Sequence, residues 1–88
     1  MHISVLLYTR RNCPLCQEVE SQLNDLAARF PLVIEYRDVD ADARLRMEYG
    51  TRVPAVFIDG EERFRYRIDP IAFERLVLER STTNDDQT

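Results

Sequence analysis

The sequence has little of what marks a secreted, membrane-spanning or disulfide-stabilised protein. It contains two cysteines close together near one end, whereas small secreted domains that depend on disulfides usually carry about four or more. No apolar stretch approaches the roughly 20 residues of a membrane span. The apolar run at residues 1–8 is too short for a signal-peptide core and has no basic leader. We therefore expect a cytoplasmic protein that does not contact membranes.

The sequence also has fewer basic residues than acidic ones. Lysine is absent, the twelve basic residues are all arginines, and the formal net charge is −4 at pH 7. A general nucleic-acid binder needs a basic surface that displaces counterions from phosphates. This charge therefore argues against nucleic acid as a partner.

The chain is long enough for one domain and too short for two. Its hydrophobic fraction of 44% suits a globular core that needs neither a disulfide framework nor a structural metal. We predict a single, monomeric domain over residues 1–80. Residues 81–88 have no apolar side chain, and we predict that they form a disordered polar tail.

Hydrophobic patterning predicts the element order βαβαββα. The continuous apolar run at residues 3–8 is typical of a central strand buried on both faces. A helix with apolar residues every three or four positions follows, and it connects the first strand to a parallel second strand. The strands are predicted at residues 3–8, 32–39, 55–58 and 62–68, and the helices at residues 14–30, 41–49 and 70–80.

Local signals mark the ends of several elements. Asp40 is predicted to cap the second helix, and Gly50 to end it in the left-handed conformation. Asp59-Gly60 is a strong hairpin signal, which makes the last two strands antiparallel. Asp69-Pro70 has the pattern of an N-cap followed by a proline in the first turn of the last helix.

The two cysteines lie where the first strand gives way to a helix. Because Pro14 takes the first helical position, unpaired backbone N–H groups point towards the Cys13 sulfur, and the helix dipole stabilises a thiolate there. Arg10 and Arg11 add positive charge close by. Cys16 lies one turn further along, with its sulfur aimed at the interior. We predict that Cys13 is a redox nucleophile and Cys16 its resolving thiol.

Two other uses of a cysteine pair stay open from the sequence. The pair can bind metal or an iron–sulfur cluster between two copies of the chain, or it can belong to a redox-inert adaptor. A tetrahedral zinc site needs four ligands, and His2, at the far end of the first strand, is the only other good candidate. We therefore predict no metal site within a single chain.

Over residues 3–80 the chain resembles glutaredoxins and glutaredoxin-like proteins of the thioredoxin superfamily. The resemblance rests on Tyr8-Thr9-x-x-x-Cys13-Pro14-x-Cys16 after a buried strand and on Val53-Pro54 before the third. It implies an α/β thioredoxin/glutaredoxin fold, with a four-stranded mixed sheet flanked by helices. It also implies a thiol-disulfide oxidoreductase that reduces protein or glutathione mixed disulfides. The candidate electron donors are glutathione and thioredoxin reductase, and no cofactor is expected to stay bound.

The resemblance also implies where a substrate binds. Pro54 corresponds to a cis proline beside the cysteines, and the backbone of Val53 corresponds to the segment that pairs with an extended substrate. We interpret Arg10 either as a contact for a substrate carboxylate or as an ordinary loop charge. The predicted substrate-binding residues are Arg10, Arg11, Pro14, Leu15, Val53 and Pro54.

Two departures separate the chain from typical glutaredoxins and indicate a diverged branch. Leu15 stands where many members have an aromatic residue. Residues 65–69 stand where many members have Gly-Gly-x-Asp, and the glycines of that segment let the backbone approach glutathione.

Tyr8 is expected in the core. A further pattern is the alternation of three arginines along the predicted fourth strand, which forms either a solvated face or an anion-recognition strip. These arginines are Arg63, Arg65 and Arg67.

Overall fold

The computed structural model describes the backbone of residues 2–86 and the side chains of residues 2–79. The predicted order βαβαββα is confirmed, with one short 3₁₀ helix added between the second strand and the second helix. In chain order the elements are β1 (Ile3–Thr9), α1 (Pro14–Ala27), β2 (Leu32–Asp38), the 3₁₀ helix (Val39–Ala41), α2 (Ala43–Tyr49), β3 (Ala55–Ile58), β4 (Glu61–Arg65) and α3 (Pro70–Asp86).

The four strands form one mixed sheet in the order β2-β1-β3-β4. β1 pairs in parallel with β2, from Ile3 opposite Leu32 to Thr9 opposite Asp38, because α1 carries the chain back between them. β3 runs antiparallel to both β1 and β4. The chain therefore has the α/β architecture expected of it, and β1 occupies the centre of the sheet.

The hairpin between β3 and β4 follows the sequence signal, but β4 is shorter than predicted. Asp59 and Gly60 have φ of 52° and 88°, as a two-residue hairpin turn of the primed type requires. β4 ends at Arg65 because Tyr66 has φ of 70°, which takes the chain out of the extended conformation. The prediction that this strand runs to residue 68 is wrong.

The three arginines of the predicted strip are exposed, but they do not alternate along one strand. Arg63 lies at a register shift opposite Val56 and Phe57, and its guanidinium pairs with Glu61 at 2.6 Å. Arg65 pairs with Glu62 at 2.7 Å, and Arg67 lies beyond the end of the strand. The predicted strip of three arginines on one strand face is therefore wrong.

The second helix begins two residues later than predicted. Asp38 accepts the N–H of Asp40 at 2.9 Å and so caps the 3₁₀ helix. Asp42 then caps α2 by accepting the N–H groups of Arg44 at 2.8 Å and Leu45 at 3.3 Å. The prediction of Asp40 as the cap is wrong, because the inserted 3₁₀ helix moves the start of α2 along the chain.

The end of α2 also differs from its prediction. Gly50 has φ of −54° and ψ of −33°, so it is right-handed and the predicted left-handed cap is wrong. Glycine is needed here because a Cβ would lie 2.4 Å from the carbonyl oxygen of Arg46. In α3 the predicted cap is present, since Asp69 accepts the N–H of Ile71 at 3.0 Å and Pro70 opens the helix.

The main core lies between one face of the sheet and the helices α1 and α3. Alternate residues of β1 point into this core, but Ser4 on the opposite face is exposed, so the prediction of burial on both faces is wrong. The buried members are Ile3, Val5, Leu7, Val19, Leu23, Leu26, Val56, Ile58, Ile68, Phe73 and Val77. A second, smaller cluster forms around Cys16 at the carboxyl end of β1.

Helix α3 extends past its predicted end at residue 80 to Asp86. The predicted polar tail thus overlaps this helix, while residues 87 and 88 lie outside the described chain. The domain boundary at residue 80 stays a prediction. None of the helices in the described part of the chain is long and apolar enough to cross a membrane.

Candidate active site

Cys13 is the N-cap of α1. Its backbone is extended, with φ of −117° and ψ of 102°, and Pro14 is the first residue of the helix. The Cys16 N–H donates to Cys13 Sγ at 3.2 Å, and the Gln17 N–H donates to the Cys13 carbonyl at 3.1 Å. The predicted contact between a helix N–H and the Cys13 sulfur is therefore present, and the positive end of the helix dipole lies against that sulfur.

The turn that delivers Cys13 to the helix was missed from the sequence. Asn12 has φ of 55°, in the left-handed region that asparagine enters more readily than most other residues. This single residue bends the chain between the end of β1 and the first turn of α1. An asparagine directly before Cys-Pro was the available signal.

Cys16 lies beneath Cys13 in a different environment. Its side chain is 1% exposed and packs in the smaller cluster with Val39 and Val53, whereas Cys13 is half-buried. Burial, followed by the hydrogen bond with Cys13, raises the pKa of the Cys16 thiol. The pair thus combines one accessible sulfur at a helix N-terminus with one protonated, enclosed thiol.

The Val53-Pro54 peptide bond is cis and lies beside the cysteines. Val53 belongs to the same buried cluster as Cys16, and the Pro54 carbonyl accepts the N–H of Tyr66 at 2.7 Å. The segment before β3 therefore packs against the start of α1. A cleft at this point is lined by Arg10, Arg11, Asn12, Cys13, Gly50, Thr51 and Val53.

Arg10 is held by contacts within the protein. Its Nε–H donates to Asp40 Oδ2 at 2.9 Å, and an Nη1–H donates to the Gly50 carbonyl at 2.7 Å. The hydrogen bond to Asp40, and then the charge of that carboxylate, raise the pKa of Arg10. Arg10 thus joins the loop before Cys13 to the 3₁₀ helix and to the end of α2. The sequence analysis interpreted Arg10 as a substrate contact or a loop charge and did not predict these internal bonds.

Three of the other predicted substrate-binding residues are exposed near Cys13, whereas Val53 and Pro54 are buried. Arg11 is exposed and makes no ion pair with any side chain among residues 2–79. Leu15, between the two cysteines, is 41% exposed, and Pro14 is exposed at the start of the helix. An unpaired guanidinium and an apolar side chain therefore flank the half-buried sulfur.

An aromatic group supports the site from the other side of the sheet. The ring of Tyr8 lies 4.8 Å from that of Tyr49 and 5.0 Å from that of Phe57, measured between centroids. Tyr8 also packs against the cluster that contains Cys16. It is half-buried between α2 and the sheet instead of entering the main core.

Comparison with protein families identifies the chain. The model of a family described as a glutaredoxin-like domain (DUF836) matches residues 4–78, which contain both cysteines and the cis Val53-Pro54 bond. The chain belongs to this family. The resemblance carried by the cysteine motif is thereby confirmed.

Two curated relatives are similar to this glutaredoxin-like protein. The uncharacterised protein Rv0508 of Mycobacterium tuberculosis is 36% identical over 70 residues, which cover 74% of this chain and 72% of the relative. Glutaredoxin-C15 of Oryza sativa subsp. japonica is 36% identical over 66 residues, which cover 66% of this chain and 62% of the relative.

Solved structures agree on the fold. Protein Ne2328 of Nitrosomonas europaea matches with a TM-score of 0.73 and 25% identity, over 84% of this chain and 89% of the other. A mutant thioredoxin from Halobacterium salinarum NRC-1 matches with a TM-score of 0.58 and 28% identity, over 84% and 70% of the two chains. The glutaredoxin-like chain therefore has the expected thioredoxin/glutaredoxin fold.

Proposed function

We propose that this glutaredoxin-like protein is a thiol-disulfide oxidoreductase, with Cys13 as nucleophile and Cys16 as resolving thiol. The observation that carries the proposal is the Cys16 N–H on Cys13 Sγ at 3.2 Å, at the N-terminus of α1. That N–H and the helix dipole favour a thiolate on the accessible sulfur. Burial keeps the second thiol protonated and out of contact with solvent.

The reaction proceeds by two exchanges. The Cys13 thiolate attacks one sulfur of a client disulfide, forming a mixed disulfide while the other client sulfur leaves as a thiolate and takes up a proton. Cys16 then loses its proton and attacks Cys13 Sγ, which closes the Cys13–Cys16 disulfide and releases the second client thiol. Two electrons have passed from the cysteine pair to the client. An external thiol or a reductase must then reduce the pair again.

We propose that an extended client segment lies along the cleft beside Val53. Val53 belongs to the cluster that holds Cys16 and lines the same cleft as Cys13, so it lies close to the proposed nucleophile. Arg11, which lines the same cleft, and the exposed Leu15 are the further residues that we propose contact the client. Arg10, with its two internal hydrogen bonds, positions the loops that form this cleft.

The two cysteine variants test the mechanism and control for each other. Reduction of a peptide disulfide is followed with dithiothreitol as the electron source. Cys13→Ser should reduce the enzyme-dependent rate to background, because no nucleophile remains. Cys16→Ser should accumulate a mixed disulfide between Cys13 and one half of the peptide, detected by intact mass. Full activity in Cys13→Ser would show that the mechanism is wrong.

The same preparations distinguish the alternative functions. A Cys13 that resists alkylation at neutral pH would support a redox-inert adaptor, and a coloured dimer that contains iron would support cluster binding. Within the described residues, no three side chains of His, Cys, Asp or Glu are grouped as a metal site. The electron donor is identified by NADPH consumption, measured with glutathione plus glutathione reductase and separately with thioredoxin reductase.

A further inference from the structure

Tyr66 has a backbone conformation that its side chain disfavours. Its φ is 70°, in the left-handed region where a bulky residue is a true outlier. Tyr66 directly follows the last residue of β4. It is not part of the hairpin turn between β3 and β4, in which positive φ values are expected. Strained backbone of this kind persists where the surrounding structure holds it, and it is concentrated at binding sites. A role of the Tyr66 side chain in binding would account for this conformation.

Two hydrogen bonds hold Tyr66 across the segment that forms one wall of the cysteine cleft. Its N–H donates to the Pro54 carbonyl at 2.7 Å, and its hydroxyl donates to the Thr51 carbonyl at 3.3 Å. Thr51 and Val53 line the cleft together with Cys13. Tyr66 is thus bound, at both its backbone and the tip of its ring, to the segment that contributes Thr51 and Val53 to the cleft.

The ring of Tyr66 is nevertheless open to solvent. The residue is 44% exposed, and its ring makes no contact with another aromatic ring among residues 2–79. Leu15, at 41% exposure, supplies a second apolar surface beside Cys13. An immobilised aromatic ring provides apolar contact area at little further cost in side-chain entropy when a ligand binds.

We propose that Tyr66 determines client specificity, by offering its ring to an apolar or aromatic side chain next to the cysteine of a polypeptide disulfide. The inference rests on the proposed function, since the client must react with Cys13. Glutathione disulfide has no apolar side chain to place on this ring. The structure therefore favours polypeptide disulfides in apolar segments over small charged disulfides as substrates.

Two synthetic peptide disulfides that differ only in a Phe or a Gly beside the cysteine test this inference. The full-length protein reduces them with dithiothreitol, and the rate with Cys13→Ser is subtracted as background. The wild-type protein should prefer the Phe peptide by about two- to tenfold in kcat/KM, the range expected for one aromatic pair. The preference should appear in KM, because the ring binds the client without taking part in sulfur exchange.

Three variants separate the ring from the hydroxyl bond and from general stability. Tyr66→Gly suits the positive φ and removes the ring, so the preference ratio should fall close to one. Tyr66→Phe keeps the ring and loses the bond to Thr51 that holds it in place, so the ratio should fall less than in Tyr66→Gly. Tyr36→Ala removes a tyrosine of similar exposure, 45%, from β2 and should leave the ratio unchanged.

The outcomes that overturn the inference are distinct from those that overturn the function. A wild-type ratio of one, or a ratio that survives Tyr66→Gly, removes the role assigned to the ring. If Tyr66→Phe and Tyr66→Gly lose the preference for the Phe peptide equally, the hydroxyl bond to Thr51 matters and the ring does not bind the client. This result also overturns the inference. If the wild-type protein reduces neither peptide above the Cys13→Ser background, both the inference and the proposed function fail.

Discussion

Gln22→Ala removes a pair of hydrogen bonds that joins α1 to the segment after β4. The Gln22 Nε2–H donates to the Ile68 carbonyl at 2.9 Å, and Gln22 Oε1 accepts the Ile68 N–H at 3.1 Å. The Ile68 side chain is buried in the main core, so the substitution leaves these backbone groups with restricted access to water. Each bond contributes about 0.5–1.5 kcal/mol net, so the free energy of unfolding should fall by about 1–3 kcal/mol.

Urea unfolding followed by far-ultraviolet circular dichroism measures this loss, and Tm should fall by roughly 4–24 °C in parallel. Gln17→Ala is the matched control, because Gln17 lies on the same helix and is exposed. Its free energy of unfolding should change by less than about 0.5 kcal/mol. Equal urea midpoints for the two alanine variants would show that the bonds to Ile68 contribute nothing net.

Gln22→Glu tests the direction of the bonds. The introduced carboxylate can still accept the Ile68 N–H, but when ionised it faces the Ile68 carbonyl without a donor. Its pKa in the folded state should therefore lie above the usual value of about 4.3. Stability from the protonated form is complete below the unfolded pKa and is lost as pH rises through the folded pKa. The variant should thus approach wild-type stability near pH 4, and a constant deficit across pH would contradict this.

Three further predictions concern the site and its supports. Arg10→Gln breaks both internal bonds of the guanidinium, so amide hydrogen exchange at residues 50–53 should accelerate while that of α1 stays unchanged; uniform protection would contradict the tie. Burial raises the pKa of Cys16, so iodoacetamide at pH 7 should label only Cys13, and equal labelling would contradict the asymmetry. The stability that Cys16 contributes as a neutral thiol is complete below the unfolded pKa of about 8.5 and is lost as pH rises through the folded value. Asp42→Ala should cost about 1 kcal/mol in urea unfolding through loss of the α2 cap, whereas Asp42→Asn should retain most of it.

The features that the sequence by itself determined are those that depend on residues close together along the chain. Cys13 meets the N–H of a residue three positions away because Pro14 starts the helix between them. Asp59-Gly60 forms the hairpin turn and Asp69-Pro70 starts α3 because few other residues suit those backbone positions. The element order, the sheet type and the position of the cysteine pair followed from such signals together with the apolar pattern.

The tertiary structure decided everything that depends on a distant partner. Arg10 finds Asp40 and Gly50 thirty and forty residues away, a contact that sequence spacing does not encode. Tyr66 leaves the extended conformation at φ of 70° and its hydroxyl reaches the Thr51 carbonyl, although its place in an alternating pattern predicts a longer strand. The position of the cysteine pair could therefore be predicted from the sequence, whereas the walls of the cleft around it required the packing of loops brought together by the sheet.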